Sequence, residues 1–592
     1  MKTRLREWTR ELLPITTWLS DYSRAALRGD VVAGITVGVM LIPQGMAYAL
    51  IAGMPPIYGL YAALIPLVAY PLAGSSRHLA LGPTAIDMLI MGAGLGALAE
   101  AGTNEYVALA ILLTAMVGGI QIGMGMMRFG FVANLLSRPV IAGLTTAAAF
   151  IISFSQIGNL LGVELGRSQY VYVLVDQAFA HLGEVHLLSL ALGAGCIVLL
   201  VGLPRWMPQV PEMLVVAVLA TVASWIYALP EAGVAIIGTV PSGLPLPDIP
   251  EIGITELRTL LPAAFTLALV QFLNVVTLGR TFAARHGYTI DANRELIAVG
   301  TANLLGSFFR SIPTSGSFSR SAVNERAGAR TPIANVATAL VIALTLLFLT
   351  PLFYYMPMPA LAALIIVAGF NLVDLRELVE LYQTRRRDVT IAVFTALCTL
   401  IVGIQEGILL GISANVIAVL YRISRPNVAE LGHVPGTRLF RDLDRFNQAL
   451  RIQDIMVLRV DAAFSFANAE YFKDFIVEKS EREGRSVDVV VVDGTSINDL
   501  DTTAIDALES TIETLDKQGI ELHLTGLIGP VREVVRRSGL HDLMGENSFH
   551  MDPHDAVVDV LERWDKEDDS RRVARYFAET SRHKKEATPA AS

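Results

Sequence analysis

At residues 311–321 the chain reads Ser-Ile-Pro-Thr-Ser-Gly-Ser-Phe-Ser-Arg-Ser, a polar break in an otherwise strongly apolar region. Backbone that leaves a helix inside a bilayer must be buried in protein or line a cavity, because lipid offers it no hydrogen bonds. Pro313 cannot continue a helix, and Gly316 frees the backbone just before a helix could begin at Ser317. The unpaired N–H groups at such a helix start attract an anion, and Arg320 one turn inside adds a full positive charge. The stretch therefore predicts an anion site in the middle of a membrane.

Composition places this break in a membrane protein that also has a soluble part. Hydrophobic residues make up 53% of the 592 residues and charged residues only 17%, which is typical of several membrane spans joined to a soluble domain. Cys196 and Cys398 both lie in apolar runs, so they indicate neither a disulfide framework nor a thiolate metal site. We expect no metal, no cofactor and no enzymatic chemistry, because no nucleophile–base pair or metal cluster emerges. Nucleic-acid binding finds no support, since no basic stripe with interleaved aromatic residues occurs.

Apolar segments long enough to span a bilayer recur from Val31 to about Leu420. We expect spans at 31–50, 56–74, 104–127, 134–154, 187–203, 212–229, 257–279, 332–352, 358–374, 387–403 and 405–421. Shorter or interrupted segments lie at 83–98, 170–182, 292–308 and 317–325. If residues 170–203 form a short piece plus part of one bent element, the total is fourteen transmembrane segments.

The placement of arginine predicts the orientation of these spans. With a cytoplasmic N-terminus and fourteen crossings, the inner loops carry arginines such as Arg128, Arg205 and the run at 385–387, whereas the outer loops carry mainly acidic residues. This is the positive-inside pattern. It predicts a multi-pass protein of a cell membrane, by preference a bacterial inner membrane, with both termini in the cytoplasm. The basic N-terminal residues lack a compact apolar core with a cleavage site, so we expect a retained cytosolic segment and no signal peptide.

A second polar break mirrors the first. Gly82-Pro83-Thr84 opens a short apolar segment in the first half of the chain, as residues 313–316 do in the second. A repeat unit of seven spans must be inserted the second time with the opposite orientation. Short, Gly/Pro-interrupted segments in corresponding positions of two such repeats indicate a transporter binding site. The alternative is two ordinary kinked helices, because proline and glycine are common in membrane spans.

After Arg425 the pattern changes to alternating strands and helices. Strand-like runs occupy 455–461, 487–493 and 520–527, and helical patterns occupy 467–483, 502–518, 529–538 and 553–566. Such alternation predicts a small, mostly parallel sheet flanked by helices. Thr502 and Thr503 follow Asp501 at a predicted helix start, where a hydroxyl is either an ordinary N-cap, which we favour, or a phosphorylation site.

Long motifs then allow a comparison with a known family. Residues 42–61 read Ile-Pro-Gln-Gly-Met-Ala-Tyr-Ala-Leu-Ile-Ala-Gly-Met-Pro-Pro-Ile-Tyr-Gly-Leu-Tyr, residues 306–309 read Gly-Ser-Phe-Phe, and residues 316–324 read Gly-Ser-Phe-Ser-Arg-Ser-Ala-Val-Asn. These motifs resemble those of the SulP anion-transporter family, whose animal members are the solute carrier 26 proteins. Residues 493–504, Asp-Gly-Thr-Ser-Ile-Asn-Asp-Leu-Asp-Thr-Thr-Ala, resemble the marker of STAS domains (sulfate transporter and anti-sigma factor antagonist). The resemblance covers nearly the whole chain.

The resemblance implies a polytopic α-helical membrane protein with fourteen transmembrane segments, arranged as a seven-plus-seven inverted repeat that forms core and gate domains, and a cytosolic α/β STAS domain. It also implies a homodimer that transports small anions by alternating access. The anion would belong to the sulfate, bicarbonate, chloride, oxalate or dicarboxylate class. We accordingly divide the chain into a cytosolic N-terminal segment (1–29), a transmembrane anion-transport domain (30–425), a STAS domain (426–568) and a polar C-terminal tail (569–592), which we expect to be disordered.

The family places its substrate between the third and tenth helices, facing the first. Carried over by motif, the predicted substrate-binding residues are Gln44, Tyr48, Thr84, Ser317, Phe318, Ser319 and Arg320. Hydroxyl and amide groups among them would donate to the anion, the two aromatic rings would limit hydration, and Arg320 would supply a positive field. Two alternatives remain: Tyr48 could be interfacial packing, and Gln44 could satisfy backbone groups freed by Pro43.

Acidic residues in the membrane region are the candidates for ion coupling. Many bacterial relatives carry an acid in the eighth helix, but the matching position here is Asn274, which cannot titrate and is a weaker sodium ligand than a carboxylate. Asp87 lies one turn after Thr84, and carboxylates inside membrane segments are expensive and usually functional. We expect Asp87 to take over the role of the missing acid, either by protonating during transport or by pairing with Arg320. The alternative is an Asp87 that is held by backbone hydrogen bonds and does not titrate; Glu406 is a weaker candidate.

Two further functions stay open at this point. Some animal relatives are anion channels or electromechanical sensors, and a STAS domain could recruit a cytosolic partner to a membrane scaffold. Concentrative uptake distinguishes a transporter from a channel. A scaffold would keep its partner after Ser319 and Arg320 are both lost.

Overall fold

The computed structural model describes residues 22–134, 137–166, 168, 170–207, 211–248, 253–480, 487–568 and 576. The predicted N-terminal segment therefore lies outside the described residues up to residue 21, and the predicted disordered tail lies outside them except for Tyr576. The chain forms two compact units, Met1–Asn415 and Val416–Ser592. The predicted domain limits stay predictions.

The first unit is built from helices and one two-stranded ribbon. Its helices are α1 (Arg24–Ile51), α2 (Ile57–Tyr61), α3 (Ile65–Ala73), α4 (Ala85–Leu95), α5 (Asn104–Met126), α6 (Arg138–Ser155), α7 (Ile157–Leu161), α8 (Val171–Ala180), α9 (Leu187–Trp206), α10 (Glu212–Ile226), α11 (Ile254–His286), α12 (Ala292–Ser307), α13 (Phe318–Arg326), α14 (Ile333–Leu344), α15 (Met358–Phe370), α16 (Leu375–Thr384), α17 (Arg386–Ile401) and α18 (Ile404–Ser424), the last of which crosses the boundary between the units. The ribbon consists of β1 (Leu81–Gly82) and β2 (Ser315–Gly316).

Most predicted spans coincide with helices. Among the described residues, eight helices are long and apolar enough to cross a membrane, and shorter apolar helices lie at 57–73, 85–95, 171–180 and 212–226. The predicted span 332–352 is α14 followed by a π-helical turn and a 3₁₀ turn up to Phe353. The prediction of a helical membrane region is confirmed, whereas the count of fourteen stays a prediction.

Small residues let the helices of this unit approach closely. A Cβ atom on Gly118 of α5 would lie 2.7 Å from the Gly300 carbonyl oxygen of α12, and one on Gly34 of α1 would lie 2.6 Å from the Ala334 carbonyl oxygen of α14. Such contacts require glycine, and small residues at helix crossings are the usual means of close packing in membranes. The apolar core of the unit forms around α1, α3, α4, α5, α11 and α15.

The two polar breaks meet in the ribbon. β1 and β2 pair antiparallel, with Leu81 opposite Gly316 and Gly82 opposite Ser315. Each strand leads directly into a short helix, β1 into α4 and β2 into α13. The ribbon therefore sets the starts of these two helices close together, as the mirrored breaks predict.

The second unit is an α/β domain with one six-stranded sheet. Its strands are β3 (Val428–His433), β4 (Phe440–Asp442), β5 (Asp454–Val460), β6 (Val487–Asp493), β7 (Glu521–Thr525) and β8 (Phe549–His550), in the spatial order β4-β3-β5-β6-β7-β8. Neighbours from β5 to β8 run parallel, whereas β3 runs antiparallel to β4 and β5. The predicted parallel strands are confirmed. The pattern missed β3, β4 and β8.

Helices cover both faces of this sheet. They are α19 (Ala469–Ser480), α20 (Thr502–Lys517), α21 (Gly529–Arg537), α22 (Leu540–Met544) and α23 (Pro553–Asp568). Because side chains alternate along a strand, Val490 and Val492 of β6 pack in the cluster that includes α19 to α22, while Val489 and Val491 pack against α23. One detail corrects the sequence interpretation: the side chain of Asp501 caps α20 by accepting from the Ala504 amide, so neither threonine after it is the cap.

Candidate functional site

The starts of α4 and α13, which correspond to the predicted third and tenth helices, differ in one chemical respect. Thr84 precedes α4, and its hydroxyl accepts the Asp87 amide hydrogen at 3.3 Å. Ser317 precedes α13, but its side chain makes no capping hydrogen bond. A helix start without a cap leaves N–H groups to be satisfied by water or a ligand, and these groups favour negative charge. The start of α13 is therefore the one prepared for an anion.

Arg320 lies one turn inside α13 and is fully buried. Its Nη1 donates to the Pro83 carbonyl at 2.9 Å and to Gln44 Oε1 at 3.3 Å. Its Nε and Nη2 are buried without a hydrogen-bond partner. A buried guanidinium with two nitrogens that lack partners is a strong source of positive field, because little solvent screens it.

Gly82 makes room for this guanidinium. Its φ of +144° lies in a region that side chains disfavour, and a Cβ atom there would lie 3.2 Å from Arg320 Nη2. The glycine of the first break therefore lets the arginine of the second lie against the backbone. This contact links the two halves of the chain directly at the site.

The first helix contributes a hydrogen-bonded pair. Gln44 Nε2 donates to the Tyr48 hydroxyl at 2.9 Å, and both side chains are buried. Because the other end of the Gln44 amide accepts from Arg320, this side chain bridges α1 and α13. Within the described residues, the Gln44 side chain is thus hydrogen-bonded to the side chains of Tyr48 and Arg320, not to the backbone around Pro43.

The remaining predicted substrate residues face open space. Phe318 and Ser319 are exposed, Ser317 is partly exposed, and the two serine hydroxyls lie 3.2 Å apart. The Phe318 ring packs 6.2 Å from the ring of Phe282 in α11. The structure thus brings together all seven predicted substrate residues, with hydroxyls at the surface of the site and Arg320 behind them. Their roles in binding stay predictions.

Asp87 is fully buried in α4 and differs from the other buried acids of this unit. Both oxygens of Asp30 and both oxygens of Glu295 accept hydrogen bonds, and in each case the partners include backbone amides. In contrast, Asp87 Oδ2 accepts from the Ser315 hydroxyl at 2.5 Å, while Oδ1 has no partner. Asp30 and Glu295 are therefore structural acids, and Asp87 has spare capacity for a proton.

The other coupling candidates lie in different surroundings. No ion pair joins Asp87 to Arg320 among the described side chains. Asn274 of α11 is half-buried, and Glu406 is exposed in the first turn of α18. In the part of the chain that the structure describes, no group of three His, Cys, Asp or Glu side chains could hold a metal ion.

Sequence reasoning missed two polar neighbours of Asp87, Ser315 and Gln271. Ser315 lies within the polar break, so its hydroxyl could have been considered. Gln271 lies in the same motif as Asn274, and its fully buried amide lies within interaction range of the Asp87 carboxylate. The sequence signal that could have identified Gln271 is a polar glutamine inside the predicted span 257–279.

Comparisons with known proteins agree with this architecture. The model of the sulfate permease family matches residues 27–395, and that of the STAS domain matches residues 448–556. The chain is 34% identical over 579 residues to sulfate transporter 4.1, chloroplastic, of Arabidopsis thaliana, covering 95% of this chain and 84% of that protein. It is 35% identical over 531 residues to a probable sulfate transporter of Mycobacterium tuberculosis, covering 90% of this chain and 95% of that protein.

Solved structures show the same fold. The structure of SLC26A9 superimposes with a TM-score of 0.87 at 25% identity and covers 96% of both chains. The transmembrane domain of the cyanobacterial bicarbonate transporter BicA matches with a TM-score of 0.58 at 21% identity, covering 67% of this chain and 98% of that one; at this identity the match speaks for the fold alone. The chain therefore belongs to the sulfate permease family of anion transporters, with a helical membrane unit of the solute carrier 26 fold and a C-terminal STAS domain.

Proposed function

We propose that this chain is a secondary transporter that binds a small oxyanion, sulfate first among the candidates, at the start of α13 and carries it by alternating access together with a proton on Asp87. The observation that supports this most directly is the uncapped start of α13 with the buried guanidinium of Arg320 beside it. Sulfate is preferred within the class because the relatives that share about a third of their residues with this chain bear that name. We expect it to act as a homodimer in a cell membrane, with both termini cytosolic.

The anion would be held by groups of α13. The N–H groups of its first turn and the hydroxyls of Ser317 and Ser319 offer neutral donors. Arg320 adds attraction from behind without reaching the open surface. Neutral donors at a helix start bind an oxyanion without trapping it, which suits a protein that must also release its cargo.

Charge balance explains why a proton would accompany the anion. When Asp87 is ionised, its charge opposes that of Arg320 and repels an incoming anion. When Asp87 is protonated, the positive charge of Arg320 is uncompensated and the site attracts the anion. Each therefore favours the binding of the other, which is the thermodynamic requirement for symport.

Uptake of radiolabelled sulfate into proteoliposomes tests this proposal. We expect the wild type to concentrate sulfate when the outside is more acidic than the lumen, and Asp87→Asn to lose the dependence on pH. Glu105→Gln is the matched control, since it neutralises an exposed acid in the first turn of α5 that is not a coupling candidate, and it should behave as the wild type. An Asp87→Asn variant with unchanged pH dependence would refute the proton-coupling role.

The same assay separates the alternative functions. Passive conductance without gradient-driven accumulation would identify a channel. If Arg320→Gln takes up sulfate like the wild type, the proposed anion site is wrong. A wild type without uptake that keeps a cytosolic partner after Ser319 and Arg320 are both replaced would identify a scaffold. A panel of labelled bicarbonate, chloride, oxalate and dicarboxylates, competed against sulfate, identifies the cargo.

A further inference from the structure

Three fully buried amide side chains form a cluster within the membrane unit, one from each of three helices. They are Gln121 of α5, Gln271 of α11 and Asn303 of α12. Gln271 Oε1 accepts from Gln121 Nε2 at 3.0 Å and from Asn303 Nδ2 at 3.0 Å. Buried amides are costly unless they are hydrogen-bonded, so this cluster has one preferred arrangement of donors and acceptors.

The cluster is fixed to the loop that precedes α13. Asn303 Oδ1 accepts from the Thr314 amide at 2.8 Å, and Asn303 Nδ2 donates to the Thr314 carbonyl at 3.2 Å. Thr314 immediately precedes Ser315, whose hydroxyl binds Asp87 Oδ2. One side chain thus holds both backbone groups of the residue before β2.

Together these contacts form a ring with one open link. The ring runs from Asp87 through Ser315 and Thr314 to Asn303 and Gln271. Between its ends, Gln271 Nε2 and Asp87 Oδ1 are both buried and make no hydrogen bond within the described residues. Besides Ser315, the Gln271 amide and the Thr84 hydroxyl are the side-chain donors near this carboxylate. The ring is therefore open between the donor Gln271 Nε2 and the acceptor Asp87 Oδ1. A hydrogen bond between these two atoms would close it.

The charge state of Asp87 decides whether that link can form. An ionised carboxylate accepts at both oxygens, so the Gln271 N–H can donate to Oδ1 and close the ring. A proton on Oδ1 makes this oxygen a donor and a poorer acceptor, so protonation weakens the link to Gln271. Among charged and titratable groups, Arg320 of α13 faces Asp87, and the neutral Tyr48 of α1 in turn faces Arg320. The described parts of α5, α6 and α11 next to Asp87 present no charged side chain to it.

From this geometry we propose that Gln271 is a positioning residue for ion coupling: its amide responds to the proton on Asp87 and, through Asn303 and Thr314, transmits that state to the start of α13. The inference rests on the proposed proton-coupled transport, and it identifies how proton occupancy reaches the anion site. Gln271 is fully buried, so it does not reach the open surface.

The test measures sulfate uptake against external pH for Gln271→Met, which keeps the side-chain volume but removes the amide. Loss of the donor destabilises the ionised form of Asp87, so the pH at which uptake falls to half should move upward by about one unit. Gln271→Glu should move it in the same direction, because a second acid beside Asp87 disfavours its ionisation. The matched control is Thr114→Val, which removes a buried hydroxyl of α5 that donates to the Ala110 carbonyl of its own helix; it should not shift the midpoint.

Asn303→Ser tests the other end of the ring. It weakens the hold on Thr314 and removes one of the two donors to Gln271 Oε1, while Gln121 Nε2 still holds that oxygen and Ser315 still binds Asp87. The maximal uptake rate should therefore fall severalfold, with a smaller change in midpoint than in the Gln271 variants. A merely structural role predicts lower rates and lower melting temperatures for all these variants with no difference in midpoint.

The outcomes distinguish this inference from the proposed function. If wild-type uptake is independent of pH, or Asp87→Asn leaves it unchanged, proton coupling itself fails. If Asp87→Asn abolishes the pH dependence but both Gln271 variants keep the wild-type midpoint, coupling stands and the role of Gln271 is overturned.

Discussion

Gly82→Ala perturbs the anion site without changing any group that could touch the anion. The new Cβ atom would lie 3.2 Å from Arg320 Nη2 and 3.3 Å from Leu41 Cδ1. Both distances are tighter than ordinary van der Waals contact, so the guanidinium must move by a few tenths of an ångström. Because the guanidinium is rigid, a shift of Nη2 also displaces Nη1 and disturbs its 2.9 Å hydrogen bond to the Pro83 carbonyl.

Two separate costs follow from this substitution. Alanine at a φ of +144° strains the backbone by about 1–3 kcal/mol, which lowers stability. The hydrogen bond from the guanidinium is charge-assisted and worth about 1.5–3 kcal/mol. If the substitution removes about half of the free energy of this hydrogen bond, the guanidinium is held in place by about 1 kcal/mol less. That loss corresponds to about a fivefold rise in the KM for the anion.

Gly102→Ala separates these two costs. Gly102 also has a positive φ, +83°, but a Cβ atom there meets nothing within 4 Å. We therefore expect both variants to melt at lower temperature in detergent, while only Gly82→Ala raises the KM for sulfate in proteoliposomes. Rates are compared per folded protein, measured by size-exclusion chromatography before reconstitution.

One result would refute the reasoning. If Gly82→Ala and Gly102→Ala show the same KM as the wild type, Arg320 does not depend on the space above Gly82. The contact between the two breaks would then be a packing detail with no effect on anion binding.

Three further predictions concern other contacts of the two units. Arg320→Lys keeps the charge but loses the planar guanidinium whose Nη1 bonds both Gln44 and the Pro83 carbonyl, so the KM should rise roughly tenfold in the uptake assay. Thr84→Val removes the cap of α4 and should lower stability by about 1 kcal/mol in thermal unfolding, whereas Thr84→Ser should retain it. In the STAS domain, burial holds the pKa of His433 below its usual value, despite its hydrogen bond to a backbone carbonyl. The unfolded chain then binds the proton more readily than the folded domain, so the domain should lose stability as pH falls below about 6.5. Hydrogen exchange in β3 measures this loss and should become faster at low pH. In His433→Asn, which cannot take up that proton, the exchange should depend less on pH.

Local sequence was sufficient for much of the architecture. Apolar length predicted the membrane helices, because a bilayer imposes that length on any spanning helix. Proline and glycine predicted both polar breaks, since they act on the backbone of their own segment. Strand periodicity predicted β5, β6 and β7, but β4 and β8, with three and two residues, are too short to show a period. The cap of α20 was assigned to the wrong side chain because Asp501 and the two threonines after it are all good capping residues.

The pattern of contacts at the site depended on tertiary structure. Sequence indicated that Asp87 and Arg320 belong to one site, but not that Arg320 binds the Pro83 carbonyl and Gln44 while Asp87 binds Ser315. Each of these choices joins residues from different halves of the chain. They are decided by how the helices pack and by the pairing of β1 with β2, which no local pattern encodes.

The sequence by itself thus determined where the helices break, because breaking is a property of the backbone in each segment. Only the tertiary structure decided what the breaks contain: an uncapped start for α13, a glycine that admits a guanidinium, and an acid with one oxygen left unpaired. The physical reason is that hydrogen bonds in a dry interior must be satisfied by whichever groups the fold brings within reach. The groups left unsatisfied there are the ones that a substrate and a proton can use.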